Sequence, residues 1–385
     1  MTIPFTVRGH HMATTTAGGL IRTPCGIHAL GIHQANRMAA SGHDVAADTA
    51  ARLRTPDMQA FLVWLKSALP RLSYRDALGI LKELGFLAAC LERQVTAVHG
   101  AQGVGGAFRL FPELEPTLLD LGSRLGRLPR DDAETTWCLA PFFSFTGSEG
   151  EHRFALSVRR IDRLMNEAAD ILNLLRYGHV PFVDAADLLK AAADRVRESR
   201  SMMADLAKNP FPEDFQAMRD HLVRLTIGGC EFEAPNATYR DGWARVDAAI
   251  GVYGDLWTTA LQTRLDHMPM HQRDRIEIEL TQPSVAHVME HIFGSEVRDA
   301  SIAELVLKKP EAERSLREVQ ALAKEHGALL HGVHMGAIRK NLPDDDGPET
   351  GQPLHGRDQG VSGRSISETE ALRDMRRDHW LTRLK

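Results

Sequence analysis

The sequence predicts a mainly α-helical fold, and three features support this. Apolar residues recur at three- and four-residue spacing through most of the chain, the period of a helix with one buried face. Convincing period-two alternation, the pattern of half-buried strands, is absent. The 385 residues include 43% hydrophobic and 25% charged residues, ordinary values for a folded domain. A chain of this length can form one large domain with a smaller region attached.

The predicted elements follow in chain order. Residues 1–40 are irregular in pattern, with Gly, Pro and Thr interruptions, and we expect an N-terminal arm there. A small helical region is predicted over residues 41–130, and a large helical domain over residues 131–385. The helical periods of the small region lie at residues 58–92 and 114–125. Those of the large domain lie at residues 153–176, 183–207, 212–225, 246–266, 271–293 and 311–342.

Charge and composition exclude several classes of partner. The net charge is −5 and no long basic run occurs, so neither nucleic acid nor an anionic membrane is expected as partner. No apolar stretch reaches the roughly 18–20 residues that span a bilayer, and the first residues do not form a secretory signal. The cysteines form no CxxC pair, which favours reduced thiols: Cys25, Cys90, Cys138 and Cys230. We therefore expect a cytoplasmic protein, and the sequence leaves open whether it forms a homodimer.

The last long helical segment contains the main candidate ligand, His334. The apolar stripe of this segment passes through Val319, Leu322, Ala323, His326 and Leu330 and places His334 on the buried face. Glycines stand at 327, 332 and 336, although each costs about 1 kcal/mol relative to alanine inside a helix. They predict a flat, bulky group against the helix. A neutral imidazole on a buried face is a common axial haem ligand; a hydrogen-bonded core histidine is the alternative interpretation.

Residues 334–340, followed by Gly-Pro-Glu-Thr-Gly at 347–351, resemble the proximal helix and glycine-rich loop of the haem-dependent dioxygenase superfamily. This superfamily includes the indoleamine and tryptophan 2,3-dioxygenases and the pyrrolnitrin-pathway enzyme that rearranges chlorotryptophan. Further stretches resemble its members in the same order, so the similarity extends collinearly over residues 45–365. These stretches are residues 83–87, 112–121, 268–273 and 282–285.

The resemblance implies an indoleamine-dioxygenase-like helical fold with haem b as cofactor and its iron bound by His334. Arg339 and Lys340 are then placed to bind the haem propionates, and Gly347 and Gly351 belong to the adjoining loop. A chain of this type leaves the second face of the haem open to O2.

The resemblance also implies a substrate site. Phe154 lies near the substrate ring, Ser157 lines the oxygen side, and Arg224 binds a carboxylate, for which the guanidinium fork is suited. Trp137 and Cys138 line the same pocket. The alternatives are a surface salt bridge for Arg224, an ordinary helix serine for Ser157, and plain core packing for the last two residues.

We expect, from this resemblance, oxidation of tryptophan or a modified tryptophan with O2. Two departures affect the substrate: residues 351–356 lack the family's run of small residues, and the pyrrolnitrin enzyme has no arginine at the Arg224 position. The alternatives are a haem enzyme of secondary metabolism that performs monooxygenation or ring rearrangement, and a haem-binding protein without turnover. A more remote one is a zinc hydrolase that uses the HxxEH pattern from His287 to His291.

Overall fold

A computed structural model describes residues 3–7, 10–15, 21–22, 31–140, 142–235, 240–265, 267–329 and 366–384 of the chain. Within these residues the fold is mainly helical, which confirms the predicted class. None of the helices in this part of the chain is long and apolar enough to cross a membrane.

The first described helices all begin in the N-terminal half of the chain. They are α1 (Ile32–Ala40), α2 (Ala46–Leu53), α3 (Pro56–Ala68), α4 (Tyr74–His99), α5 (Gly106–Leu110), α6 (Leu114–Leu125), α7 (Glu149–Arg176) and α8 (Ala186–Lys208). The remaining described helices are α9 (Pro212–Arg219), α10 (Asp241–Ile250), α11 (Asp255–Leu265), α12 (Met270–Leu280), α13 (Val285–Phe293), α14 (Ile302–Lys308), α15 (Glu313–Ala328) and α16 (Ile366–Arg377).

Helix boundaries follow local capping chemistry. Helix α6 has the bounds predicted from its period. The single helical stretch predicted over residues 58–92 is two helices, because Pro70 interrupts it and Ser73 caps α4 by accepting a hydrogen bond from the Asp76 amide at 3.1 Å. The stretch predicted over residues 271–293 is also divided, and Ser284 caps α13 through the His287 amide. Periodicity therefore located the helices, while caps and prolines decide where they end.

Short strands occur where the sequence analysis expected none. Within the N-terminal residues predicted as an irregular arm, β1 (Ile3–Val7), β2 (His10–Thr15) and β3 (Ile21–Arg22) form an antiparallel sheet in that order. The helix predicted over residues 212–225 ends at Arg219, and a hairpin of β4 (Leu225–Ile227) and β5 (Cys230–Phe232) follows. Its turn is Gly228-Gly229, with φ of 61° and 76°, the left-handed geometry of a tight hairpin turn. Such short strands leave little period-two signal.

The chain divides into two compact units. The first contains the described residues of Met1–Ala155 and Asp214–Asn236; the second contains those of Leu156–Glu213, Ala237–Asp345 and His355–Lys385. The predicted boundary after residue 130 thus lies inside the first unit. Arg130, itself wholly buried, donates to the carbonyl oxygens of Val223 and Phe232 at 2.9 and 3.2 Å, which fixes the hairpin to this unit.

Helix α4 is the centre of the first unit and is buried on nearly all sides, as expected of a helix with apolar residues around its circumference. Gly85 allows the backbone at Asp131 to approach this helix closely, because a Cβ on residue 85 would lie 2.4 Å from the Asp131 nitrogen. The core of the second unit comes mainly from α7, α8, α13 and α15, with Leu172, Leu189, Met289 and Leu322 among its fully or nearly fully buried residues.

Candidate functional site

Trp137 and Cys138, which the resemblance assigns to the substrate pocket, lie on a single π-helical turn at Glu134–Cys138. Asp132 and Thr135 begin the turn with reciprocal hydrogen bonds: the Thr135 hydroxyl accepts from the Asp132 amide at 2.7 Å, and the Asp132 carboxylate accepts from the Thr135 amide at 2.9 Å. Trp137 is fully buried and Cys138 half-buried. Single π-turns occur frequently at functional sites, so the local geometry is consistent with a binding role.

The side chain of Phe154 packs against Trp137 and Phe215, and we call these three residues the aromatic triad. The Phe154 ring centroid lies 5.7 Å from that of Trp137 at 83°, and 5.5 Å from that of Phe215 at 69°. Such edge-to-face pairs are worth about 0.5–1.5 kcal/mol beyond their buried area. Trp137 and Phe215 are buried, whereas Phe154 is only half-buried. The triad therefore holds a partly accessible ring in one orientation.

Sequence reasoning identified two members of the triad and missed Phe215. This residue lies on α9 and is 4% exposed. An aromatic residue on the inner face of an amphipathic helix has the pattern of any core residue. No signal in the sequence marked it as a neighbour of Phe154.

The start of α7, the helix that carries Phe154, is fixed by a buried carboxylate that sequence reasoning also missed. Glu151 is fully buried and accepts hydrogen bonds from the Ser144 hydroxyl at 2.6 Å and from the Phe145 and Thr146 amides at 2.8 Å each. A carboxylate in the first turn also interacts favourably with the helix dipole. Glu151 precedes Phe154 by about one helical turn. The hydrogen bonds that anchor Glu151 therefore also help to fix the position of the Phe154 ring against Trp137.

His221 is a second buried polar group in the first unit. Its Nδ1 lies 2.7 Å from the Ala217 carbonyl oxygen, and its ring stacks on Phe145 with centroids 5.5 Å apart. Because a carbonyl only accepts, Nδ1 carries the proton and Nε2 is the unprotonated nitrogen. Nε2 has no hydrogen-bond partner among the described residues. Burial lowers the pKa of His221 to about 4, and the nearby cation Arg93 adds to this effect.

Arg224, the predicted carboxylate-binding residue, lies at the surface of the first unit. Its side chain is 54% exposed and forms a two-point ion pair with Glu233, with Nη2–Oε1 and Nε–Oε2 distances of 2.9 and 3.1 Å. Glu231 lies 3.4 Å from the other terminal nitrogen. An exposed pair of this kind contributes about 0–1 kcal/mol. The arginine is therefore accessible, but it already forms ion pairs with two carboxylates of the chain.

Ser157 is half-buried and follows Phe154 by three residues on α7. It belongs to the second unit, whereas Phe154 belongs to the first. The predicted haem-binding residues lie outside the described residues: His334, Arg339, Lys340, Gly347 and Gly351.

The described part of α15 confirms the predicted stripe but corrects the interpretation of one glycine. His326 is 1% exposed, as the stripe predicts, and Val319 and Leu322 are equally buried. Gly327 was expected to make room for a flat cofactor. A Cβ there would lie 3.3 Å from the Arg377 Cα and 3.4 Å from the Arg376 carbonyl oxygen. Gly327 thus allows close packing of α16, and its interpretation as cofactor space was wrong.

A buried ion-pair cluster surrounds Asp247 in the second unit. Asp247 accepts hydrogen bonds from both Nε and Nη2 of Arg376, the first at 2.6 Å, and from the indole nitrogen of Trp257 at 3.0 Å. His326 Nε2 lies 3.2 Å from the same carboxylate. Burial alone would raise the pKa of Asp247, but the charge of Arg376 and the hydrogen bonds of its neighbours outweigh burial and lower it. The carboxylate is therefore ionised.

The described residues give little support for the zinc-hydrolase alternative. His287 and His291 are exposed, and Glu290 forms an ion pair with Arg298 at 2.6 Å. Among the described residues, no group of three or more His, Cys, Asp or Glu side chains is arranged to hold a metal ion. A haem needs only one protein ligand to its iron, so this result does not bear on His334.

No protein-family model matches the chain, and no curated protein matches its sequence.

Proposed function

We propose that this protein binds haem b and uses O2 to oxidise an indole-type aromatic amino acid, tryptophan or a modified tryptophan. The observation that carries the proposal is the aromatic triad. Phe154 is half-buried and held edge-on by two buried aromatic rings, and aromatic rings are the preferred lining for a flat apolar ligand. The triad therefore suits an indole, and it includes two residues that the dioxygenase resemblance assigns to the substrate pocket.

In this proposal the cofactor is held by His334, with Arg339 and Lys340 at its propionates and Gly347 and Gly351 in the adjoining loop. Bound haem supplies the activation of O2, and the protein supplies binding and orientation. Phe154 offers its accessible face to the substrate ring, and Trp137 fixes the angle of that face.

In this proposal two polar residues, Ser157 and Arg224, bind the polar groups of the substrate. Ser157, to which the resemblance assigns the oxygen side of the pocket, carries a hydroxyl group that can donate to or accept from a polar atom of the substrate. Arg224 binds a substrate carboxylate by exchanging it for Glu233, at little cost because the existing ion pair is exposed. The scheme needs no dedicated general base.

The pairing of Arg224 with Glu231 and Glu233 favours a second candidate function. A substrate without a carboxylate has no need of Arg224 and would leave both ion pairs in place. A haem enzyme of secondary metabolism that performs monooxygenation or ring rearrangement fits this case. The two functions differ in whether a free carboxylate strengthens binding.

A spectroscopic titration tests the proposal. Purified protein is loaded with hemin, and its absorption spectrum is recorded while tryptophan, or indole without the carboxylate, is added. We expect tryptophan to shift the spectrum and Phe154→Ala to weaken this response roughly tenfold, because the ring that contacts the substrate is gone. Leu156→Ala is the matched control, since Leu156 lies on the same helix and is 61% exposed.

Each outcome separates the candidates. A response to indole as strong as that to tryptophan supports the second candidate. A hemin spectrum that no indole changes supports a haem-binding protein without turnover. Protein that takes up no hemin contradicts all three haem functions.

A further inference from the structure

Three consecutive residues, 144–146, lie between the π-helical turn and helix α7, and we call them the anchor segment. Their carbonyl oxygens accept hydrogen bonds from three side chains of α1. The pairs are His33 with Ser144 at 2.7 Å, Asn36 with Phe145 at 2.9 Å, and Arg37 with Thr146 at 3.3 Å. Residues 36 and 37 follow residue 33 by three and four positions, so the donors lie on one face of the helix. Helix α1 therefore holds the carbonyl side of the anchor segment.

The amide side of the anchor segment is held by Glu151. Its buried carboxylate accepts hydrogen bonds from the Phe145 and Thr146 amides at 2.8 Å each. Phe145 is thus bound through both its carbonyl oxygen and its amide nitrogen. Its ring, 1% exposed, stacks on Phe86 and on His221 with centroid distances of 4.7 and 5.5 Å. Phe145 therefore connects α1 to Glu151 through one short chain of hydrogen bonds.

The elements that meet at Phe145 also carry two rings of the aromatic triad. Glu151 lies about one helical turn before Phe154 on α7, and His221 follows closely on α9, which carries Phe215. The Phe154 and Phe215 ring centroids are 5.5 Å apart. All of these residues belong to the first unit. Whatever fixes the anchor segment therefore also fixes how the two rings meet.

We propose that Asn36 is a positioning residue for Phe154, the ring that faces the substrate in the proposed function. It acts through the anchor segment and Glu151, and the inference rests on that proposed function. Asn36 is 1% exposed, whereas His33 is half-buried and Arg37 is exposed. A hydrogen bond shielded from water is electrostatically stronger than an exposed one. Asn36 is therefore the α1 residue that holds the segment most firmly.

The neighbours of Asn36 fix the orientation of its amide group. The Phe145 carbonyl can only accept, so the amide nitrogen of Asn36 faces it. The amide oxygen then accepts from Nε2 of Gln94, a fully buried residue of α4, at 2.8 Å. Oε1 of Gln94 has no hydrogen-bond partner among the described residues. A buried unpaired oxygen is destabilising, so its contact with Asn36 explains Gln94 better than stability does.

A buried carboxylate on α4 provides the matched control. Glu92 is 1% exposed and accepts hydrogen bonds from the Gly105 and Ala107 amides at 2.6 and 3.0 Å. Like Asn36, it is a buried polar side chain that holds a loop of the first unit through its backbone. That loop carries no residue of the aromatic triad, so the loss of Glu92 should reduce stability without moving Phe154.

The experiment compares Asn36→Leu with Glu92→Leu, since each replaces a buried polar side chain with an apolar one. Melting temperatures report stability, and calorimetry at equimolar hemin measures the Kd for indole. Hydrogen exchange followed by mass spectrometry measures amide protection in residues 144–155 and 103–109. Gln94→Met serves if Asn36→Leu does not fold, because it loosens Asn36 and at the same time removes the unpaired Oε1 of Gln94.

We expect both leucine variants to melt at lower temperature than wild type. Asn36→Leu should raise the Kd for indole roughly fivefold, the equivalent of one edge-to-face ring contact, and should speed exchange in residues 144–155. Gln94→Met should change both quantities in the same direction. Glu92→Leu should leave the Kd unchanged and speed exchange only in residues 103–109.

Equal weakening of indole binding in Glu92→Leu would overturn the inference, because it would show a general loss of stability. A wild-type Kd in Asn36→Leu would overturn it as well. If the wild-type protein binds no indole, the proposed function fails. The exchange result then still decides whether Asn36 holds the anchor segment, and wild-type protection of residues 144–155 in Asn36→Leu would overturn that claim.

Discussion

Replacing His221 with phenylalanine should make the protein less stable at neutral pH and more stable in mild acid. His221 is buried, stacks on Phe145 and donates one hydrogen bond to the Ala217 carbonyl. Phenylalanine keeps the stacking and removes both the hydrogen bond and the titration. At neutral pH only the lost hydrogen bond counts, and it costs about 1 kcal/mol.

The greater stability expected of the variant in mild acid follows from proton linkage. Burial lowers the pKa of His221 to about 4 in the folded state, and the unfolded value is about 6.5. The unfolded state therefore binds the proton first as pH falls. The stability contributed by neutral His221 is complete above about pH 6.5, declines below it, and is fully lost below about pH 4. At pH 5 the loss is about 2 kcal/mol, so the variant should be about 1 kcal/mol more stable than wild type.

Urea unfolding of both proteins between pH 5 and pH 7.5 measures this difference. The two curves of unfolding free energy against pH should cross near pH 6. Comparison with wild type removes the contribution of other groups, including His379, whose pKa burial also lowers to about 4. His287→Phe is the control, because His287 is exposed. Curves for His221→Phe and wild type that stay parallel over the whole range would refute the reasoning.

Three further substitutions have defined outcomes. Gly85→Ala should lower the unfolding free energy by about 2 kcal/mol, because its Cβ would meet the Asp131 backbone; a helix-propensity gain of about 1 kcal/mol would be the opposite result. Arg130→Met should cost about 3–5 kcal/mol in urea unfolding, since it leaves Asp131 buried without its partner, and a cost below 1 kcal/mol would contradict the assigned pairing. Arg224→Gln should cost less than about 1 kcal/mol of stability and weaken binding of tryptophan more than of indole. Equal weakening would exclude a carboxylate-binding role.

The fold class was predictable because a helix with one buried face needs apolar residues at three- and four-residue spacing, and a short stretch of sequence is enough to show this spacing. The burial of Val319, Leu322 and His326 on α15 follows directly from their spacing. The β4–β5 hairpin was missed, since strands of three residues are too short to show alternation. The Gly228-Gly229 pair indicated a turn in the sequence, but it did not indicate that the turn connects two strands.

The candidate site was less predictable because its parts meet only in the folded chain. Trp137 and Phe154 were assigned to one pocket through resemblance, and no spacing rule relates them. Glu151 has the pattern of an ordinary acid in a first helical turn, so its burial and its loop contacts gave no signal. Gly327 shows the opposite error: a glycine attributed to a cofactor instead accommodates another helix.

The measurement that tests the central proposal most directly is a hemin titration of the wild-type protein beside His334→Ala. His331→Ala is the matched control, because His331 belongs to the same sequence segment but its spacing places it off the predicted apolar stripe. The proposal predicts an intense Soret band that saturates at equimolar hemin in wild type and His331→Ala and is lost in His334→Ala. Protein that stays colourless, or a His334→Ala variant that binds hemin as wild type does, would contradict it.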